Sequence, residues 1–467
     1  MAGWTNPLEL LHAELLQRRD EGCEIPVDLK QQIELLSAED RWSEERVYPL
    51  YDALMALSED EALATREPND LPAIRLLRPE GPRNLHWQPT DADAVDRFHG
   101  AWTGRAVGCA LGKPVEGIGF GVLEGEFTGR KNIKAYLQKR GDWPLSDYIS
   151  GLRLDENDPD LWSPASQREQ IAYMEPDDDI HYSLVGLAVM ETYGPGFRWN
   201  DIAQYWSEHI PYAAICTAET QGILNYWNRT SRLSGESAAT PEYTRRYRNP
   251  YREWIGAQIR VDGFAWCAAG NPQLAAEFAW RDAHWTHERN GIYGAMFFAA
   301  LQAAAFVESD WKQLVAIGLS EIPGNCRLAL AVHELLVWID AAPHWETVVQ
   351  KIESRYRGMS PVHSINNSLI CIVGMAYGNL NPQESICITV ASGLDTDCNG
   401  ATVGNIVGAI AGRSGFNSPL ADQLNDTIKP SMIGFDNIGM KALSARTFRQ
   451  WKRVQDWLET ASGFRNQ

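Results

Sequence analysis

Residues 392–400 read Ser392-Gly393-Leu394-Asp395-Thr396-Asp397-Cys398-Asn399-Gly400, and glycine returns at 404, 408 and 412 with Ala401, Ala409 and Ala411 among them. Residues four apart lie on one face of a helix, so this spacing describes a helix with one face almost bare of side chains. Another backbone can come close to such a face. In a bilayer the pattern would suggest helix dimerisation, but the apolar run falls short of the ~20 residues that span a membrane. Packing inside a helical domain is the better reading. Asp395 and Asp397 then stand at the helix entry, where free N–H groups and the dipole favour negative charge, and carboxylates at i and i+2 can turn toward a common ion.

Working outward, the chain from Ala94 onward reads as helix after helix: Ala94 to Leu111, Ile180 to Tyr193, Asn200 to Ile210, Pro272 to Trp280, Gly291 to Val307, Trp311 to Ser320, Cys326 to Trp338, Trp345 to Tyr356, Asn367 to Tyr377 and Pro382 to Ser392. Alternating β-runs are nearly absent, and the predicted fold class is all-α. Gly151 to Met174 and Asn228 to Tyr251 read as loops, of a length that often frames a binding site. Near the start, Leu8, Leu11 and Leu15 follow Asn6-Pro7 at helical spacing, and a second amphipathic helix is expected from Pro49 to Leu63. Arg78 to Arg83 breaks the periodicity, and Trp87 to Asp93 reads as a connector. The expected organisation is a helical N-terminal extension over residues 1–90 and a multi-helix domain over 94–467, the extension packing against the domain.

With 467 residues, 44% of them hydrophobic, and 18 tryptophans, the composition is that of a globular chain with a substantial core. The net charge of −19 and a pI near 5.0 oppose binding to phosphate backbones, so a nucleic-acid partner is not expected. The eight cysteines form no CxxC pair or regular framework, which suits reduced thiols. No export signal or membrane span is legible, and a cytoplasmic location is expected. Nothing in the sequence sets the oligomeric state.

Two further segments carry chemistry. Asp177-Asp178-Asp179 precedes Ile180, His181, Leu184 and Leu187. One aspartate is enough to cap a helix; three in succession add repulsion without further capping. Two like charges about 4 Å apart repel by roughly 4 kcal/mol at an effective dielectric near 20, so carboxylates converging on one point partly protonate or bind cations. Upstream lies Gly104-Arg105-Ala106-Val107-Gly108-Cys109-Ala110-Leu111-Gly112-Lys113-Pro114-Val115-Glu116. Its glycines suit close helix packing followed by a turn at Lys113-Pro114. It is not a phosphate-binding P-loop, because Pro114 follows Lys113 where Ser or Thr is required.

Taken in order, the three segments resemble the ADP-ribosylglycohydrolase family, whose members carry a glycine-rich GD-x-LG-x-x-x-E helix end, a T-D-D-T segment opening a helix, and a late G-D-T-D-T segment followed by small residues. The resemblance spans roughly residues 95–415. Gly256-Ala257-Gln258-Ile259-Arg260 is similar to the family's G-A-x-M-R stretch, and Trp285-Thr286-His287 falls where the family has its Thr-His pair. The resemblance implies an all-α enzyme with two divalent cations, magnesium or alternatively manganese. It also implies hydrolysis of the anomeric C–N or C–O bond of an ADP-ribosyl or related ribosyl group. Carried over residue by residue, it implies metal ligation by Asp178, Asp179, Asp395 and Asp397, with Asp177 a further oxygen ligand. Glu116 and Asp178 take catalytic roles, Glu116 as the acid/base; His287 and Gly393 contact substrate.

Three departures stand out: Asp177 for the first threonine of T-D-D-T, Ile180 for its last, and Cys398 for the threonine after the late pair. Cys109 also stands where the family commonly has aspartate. A thiol is a poor ligand for magnesium, so one of the two metal positions is expected to differ in ligand set or affinity. Two other readings stay open. One is a hydrolase of a free nucleoside or small N-riboside; the other is a non-catalytic ADP-ribose-binding protein with the same fold.

Overall fold

A computed structural model of the chain describes residues 5–38, 41–231 and 233–465, with side chains through residue 460. Helices form almost all of its regular structure. Among the described residues, strands are confined to two short antiparallel ladders, Val122–Leu123 with Glu126–Phe127 and Thr427–Ile428 with Ile438–Gly439. The all-α expectation is met, and among the described residues no helix is long and apolar enough to cross a membrane.

At the centre lie two long helices, Asp91–Gly112 and Thr396–Gly415. They run antiparallel and meet through their glycines. A methyl group added at Gly100, Gly104 or Gly108 would strike the carbonyl oxygen of Gly408, Gly404 or Gly400 in turn, and one at Gly112 would strike that of Thr396. Glycine inside a helix costs roughly 0.5–1 kcal/mol against alanine, a cost offset by backbone-to-backbone packing that no larger residue allows. Gly412 has φ +67° and breaks the second helix. A Cβ there would also strike Asp96, whose carboxylate accepts the Ser414 N–H at 3.0 Å.

Around this pair the core is rich in large side chains, with Trp102, Trp206, Trp266 and Trp285 fully buried. Most predicted helices are present within a few residues of their expected ends. Three expectations change. The helix placed at Pro49–Leu63 is two, Glu44–Met55 with Pro49 inside it and Glu61–Arg66. Ser43, Glu44 and Glu45 start the first earlier, and Asp60 caps the second by accepting the Ala62 and Leu63 N–H groups. The loop at 228–251 contains a short helix, Pro241–Arg246, capped by Thr240. Helices at Thr217–Asn228 and Met440–Arg465 are additions to the predicted set.

The first three helices, Pro7–Asp20, Val27–Ser37 and Glu44–Met55, enclose Leu10, Leu11, Ile33, Val47, Tyr51 and Leu54 together with Ala218 and Tyr251 from the larger body. Charge completes the contact. Arg252, fully buried, reaches Glu14 and Glu21, each at 2.9 Å, and Arg327 pairs with Glu67 and Glu253, each at 2.8 Å.

Candidate active site

The glycine zipper decides what meets at its end. Because the two helices are antiparallel, the last turn of Asp91–Gly112 lies beside the first turn of Thr396–Gly415, and the Thr396 hydroxyl donates to the Gly112 carbonyl at 2.8 Å. A 3-10 turn at Lys113–Val115 follows and delivers Glu116. The Leu394 N–H donates to the Gly119 carbonyl at 3.1 Å. Oxygen atoms of Glu116, Asp395 and Asp397 therefore fall within 4.8 Å of one another.

The second acidic segment is drawn in by Arg105, a buried residue of the same glycine helix. Its guanidinium donates to the Asp179 carboxylate at 2.6 Å and to the Asp179 and Ile259 carbonyls at 2.9 Å each, and it lies 3.1 Å from Asp262. Asp177 caps the helix Asp178–Tyr193 by accepting the Asp179 N–H at 2.9 Å, and its other oxygen lies 2.8 Å from the Lys113 ammonium. Donor atoms of Asp179, Asp397 and Cys398 form a second group within 4.8 Å, and those of Cys109, Asp177 and Asp179 a third.

This crowding governs protonation. Burial, then the charges of Asp397 and Asp395, hold the Glu116 carboxyl well above its ordinary value. Burial and the neighbouring Asp177 and Asp397 push Asp178 up to about 8; burial and Asp397 raise Asp395, and burial and Asp177 raise Asp397. Asp179 is also raised by burial, although Arg105 opposes it. Asp177 goes the other way: burial raises it, but the Lys113 charge and hydrogen bond outweigh burial and leave it below the usual carboxylate range.

Glu116, Asp177, Asp178, Asp395, Asp397 and Cys398 line a cavity of about 280 Å3. Its other walls include Phe120, Trp162, Trp254, Ile255 and Val362, with Glu219 also on the lining. Trp162 comes from the expected loop at 151–174, which thus borders the cavity. Two expected substrate contacts lie elsewhere. His287 is fully buried beside Thr286, whose hydroxyl lies 2.8 Å from its Nδ1, and its Nε2 is 3.9 Å from Glu219; it backs the wall instead of lining it. Gly393 has φ +79°, and a side chain there would strike the Arg130 backbone nitrogen at 2.6 Å; its role is the turn into Leu394. Sequence reasoning missed Glu219, Trp162 and Trp254. The expected loop at 151–174 pointed near Trp162 and the Gly256–Arg260 stretch near the other two, and Arg260 is the buried partner of Glu219.

The donor set suits a hard divalent cation on one side. Asp395 Oδ1 and Asp179 Oδ2 are buried with no hydrogen-bond partner, the state expected of carboxylate oxygens that complete their coordination with an ion. Glu116, Asp395 and Asp397 offer oxygen alone, whereas Cys109 brings a soft thiol to the group of Asp177 and Asp179, and Cys398 one to the group of Asp179 and Asp397.

A solved structure of an "ADP-ribosylglycohydrolase-related protein complex" is similar to this chain at 18% identity, covering 77% of this chain and 99% of that one with a TM-score of 0.48. No curated protein matches the chain. The model of the family described as ADP-ribosylglycohydrolase matches residues 90–453, a stretch that holds every acidic residue of the cluster. With most of its length so matched, the chain belongs to the ADP-ribosylglycohydrolase family.

Proposed function

We propose that the chain is a divalent-cation-dependent glycohydrolase that cleaves the anomeric C–N or C–O bond of an ADP-ribosyl or related ribosyl group. Family membership supports hydrolysis of a glycosidic bond, and one observation carries the site: Glu116, Asp395 and Asp397 converge within 4.8 Å on the wall of a cavity, with Asp395 Oδ1 unpartnered. Asp395, Asp397 and Glu116 are the residues that would hold a cation, with Asp178 beside them. When bound, such an ion supplies a Lewis acid that orients the ribose hydroxyls and steadies charge on the ring.

The chain's own groups do the rest. Glu116, on the cavity lining, is placed to give a proton to the leaving group and to take one from water as the ring passes through an oxocarbenium-like state. Asp178 lies on the same lining and serves as the second carboxylate, orienting water or a ribose hydroxyl. Phe120, Trp162 and Trp254 give the cavity aromatic walls, and a less polar surrounding strengthens each electrostatic contact inside.

A substrate panel tests this: arginine-linked and serine-linked ADP-ribose, O-acetyl-ADP-ribose, ADP-ribosylated nucleobases and plain nucleosides, each with magnesium or manganese. Product release that disappears with EDTA, with Asp395→Ala and with Glu116→Gln is the expected result. Turnover that persists through all three would refute the assignment. If no compound turns over while ADP-ribose binds, the chain is a binding protein of the same fold, the reading that Cys398 favours.

A further inference from the structure

We propose that the site is built for one divalent cation, with the fixed charge of Lys113 taking the place of a second. The inference rests on the cation-dependent reading above and concerns how many ions the chain can hold. Both oxygens of Asp177 are already engaged: Oδ1 accepts the Asp179 N–H at 2.9 Å, and Oδ2 lies 2.8 Å from Lys113 Nζ. Lys113 is itself pinned, donating to the Pro176 carbonyl at 2.6 Å, and its side chain is only 12% exposed. The ammonium and the N–H each occupy a lone pair that a metal ligand would offer, and the ammonium's charge repels a dication approaching the same carboxylate. Asp177 therefore does not ligate while Lys113 stays in place.

Charge balance points the same way. Where the family pattern has threonine, Asp177 adds one negative charge, and Lys113 cancels it. Asp179 is likewise matched by Arg105 at 2.6 Å. Asp179 keeps one oxygen, Oδ2, without a hydrogen-bond partner, but the donors grouped with it are Asp397, shared with the Glu116 group, and the thiols of Cys109 and Cys398, which are unsuited to magnesium, and a second dication would be opposed by the charges of Lys113 and Arg105. On the other side Glu116, Asp395 and Asp397 have no lysine or arginine within ion-pairing distance among the described residues. Asp395, 3% exposed, keeps an unpartnered oxygen there. One corner already holds the chain's own cations, Lys113 and Arg105, and one is left for an ion.

Metal stoichiometry on the full chain tests this. The protein is loaded with Mn2+, freed of excess, and its manganese counted by plasma mass spectrometry, with electron paramagnetic resonance reporting whether the spins are isolated or coupled. One Mn2+ per chain with an isolated six-line signal is expected, and Asp395→Asn should lose it. The double variant Lys113→Met/Asp177→Thr, whose threonine still caps the helix, should rise to two ions with a coupled signal. Two ions in the unaltered chain would overturn the proposal while leaving cation dependence standing; no retained ion would overturn both. A double variant that stays at one ion would remove the role given to Lys113. Should it fail to fold, Lys113→Gln/Asp177→Ser carries the same expectation.

Discussion

Buried carboxylates are dense in two regions of this chain, and the two treat them in opposite ways. Where the N-terminal helices meet the larger body, Glu14, Glu21, Glu59, Glu67, Glu253 and Glu288 face Arg252, Arg246, Arg289 and Arg327. At the end of the glycine zipper, Glu116, Asp178, Asp395 and Asp397 face mainly one another. Arg246 and Arg289 hold Glu59 down to about 2 against the effect of burial, and Arg327 keeps Glu253 below the usual range although it is fully buried. In the cluster the same burial, with like charges as neighbours, raises every group except Asp177. Density of charge is therefore not what marks a site. Lack of a protein counter-charge does.

The sharpest way to break this comparison is to remove a cation from the paired region. Arg252→Met would strand Glu14 and Glu21 in the interior, and breaking a buried pair from one side costs about 3–5 kcal/mol. Urea unfolding should show a loss of that size. Asp395→Asn in chelated protein should show none, since it removes a charge that lacks a partner. Equal losses in the two variants would mean the regions do not differ as described.

Cation binding gives the next effect. A ligand bound only by the folded state stabilises it by about 2.7 kcal/mol at a hundred times its Kd, so saturating magnesium or manganese should raise the melting temperature of the unaltered chain. With Asp395→Asn the rise should vanish. A rise that survives this substitution would place the ion elsewhere.

The two regions should also respond to pH with opposite slopes. In chelated protein the folded state binds more protons at Glu116, Asp178 and Asp395 than the unfolded state does between about pH 4 and the raised folded values. Stability contributed there is full below about 4 and is lost as pH rises, through about 8 for Asp178. Glu59, Glu253 and Glu288 do the reverse: their contribution is present above about 4.5 and is lost as pH falls, toward about 2 for Glu59. Melting temperatures from pH 4 to 9 with EDTA should therefore decline toward the alkaline end, and a divalent cation should flatten or invert that decline. A chelated profile that rises steadily with pH would contradict the assignment of unmatched carboxylates.

How much of this was legible follows from the same contrast. The glycines at 104, 108 and 112 and at 400, 404, 408 and 412 each announced a bare helix face, and the acidic segments announced a charge problem needing a counter-ion. The sequence did not say that the two glycine faces pack on each other in antiparallel register, the fact that carries Glu116 to Asp395 and Asp397. Lys113 looked like a turn residue; its meeting with Asp177 depends on the path of residues 151–176, which has no periodic signal. The Arg252 and Arg327 pairs were illegible for another reason. Arg252 with Glu14 and Glu21, and Arg327 with Glu67, join residues more than two hundred positions apart, on turns and helices whose polar side chains look solvated when read singly, and their burial is visible only once these elements dock. His287 shows the converse: the motif was in place, but the ring sits behind the wall.

The smallest predicted effect tests whether geometry alone, with charge untouched, sustains the unmatched region. Thr396→Val keeps the shape of the residue and removes the hydroxyl that donates to the Gly112 carbonyl at 2.8 Å. Loss of one such hydrogen bond costs about 1 kcal/mol, well below the Arg252→Met effect. Its consequence for the site should be out of proportion to that cost, because the bond ties the turn bearing Glu116 to the turn bearing Asp395 and Asp397. Cation affinity measured by calorimetry should fall, while the pairing around Arg252, far along the chain from this bond, is unaffected and the urea midpoint moves only slightly. Unchanged affinity would mean that the glycine contacts by themselves fix the end of the zipper, and that the hydroxyl only satisfies a carbonyl at a helix terminus.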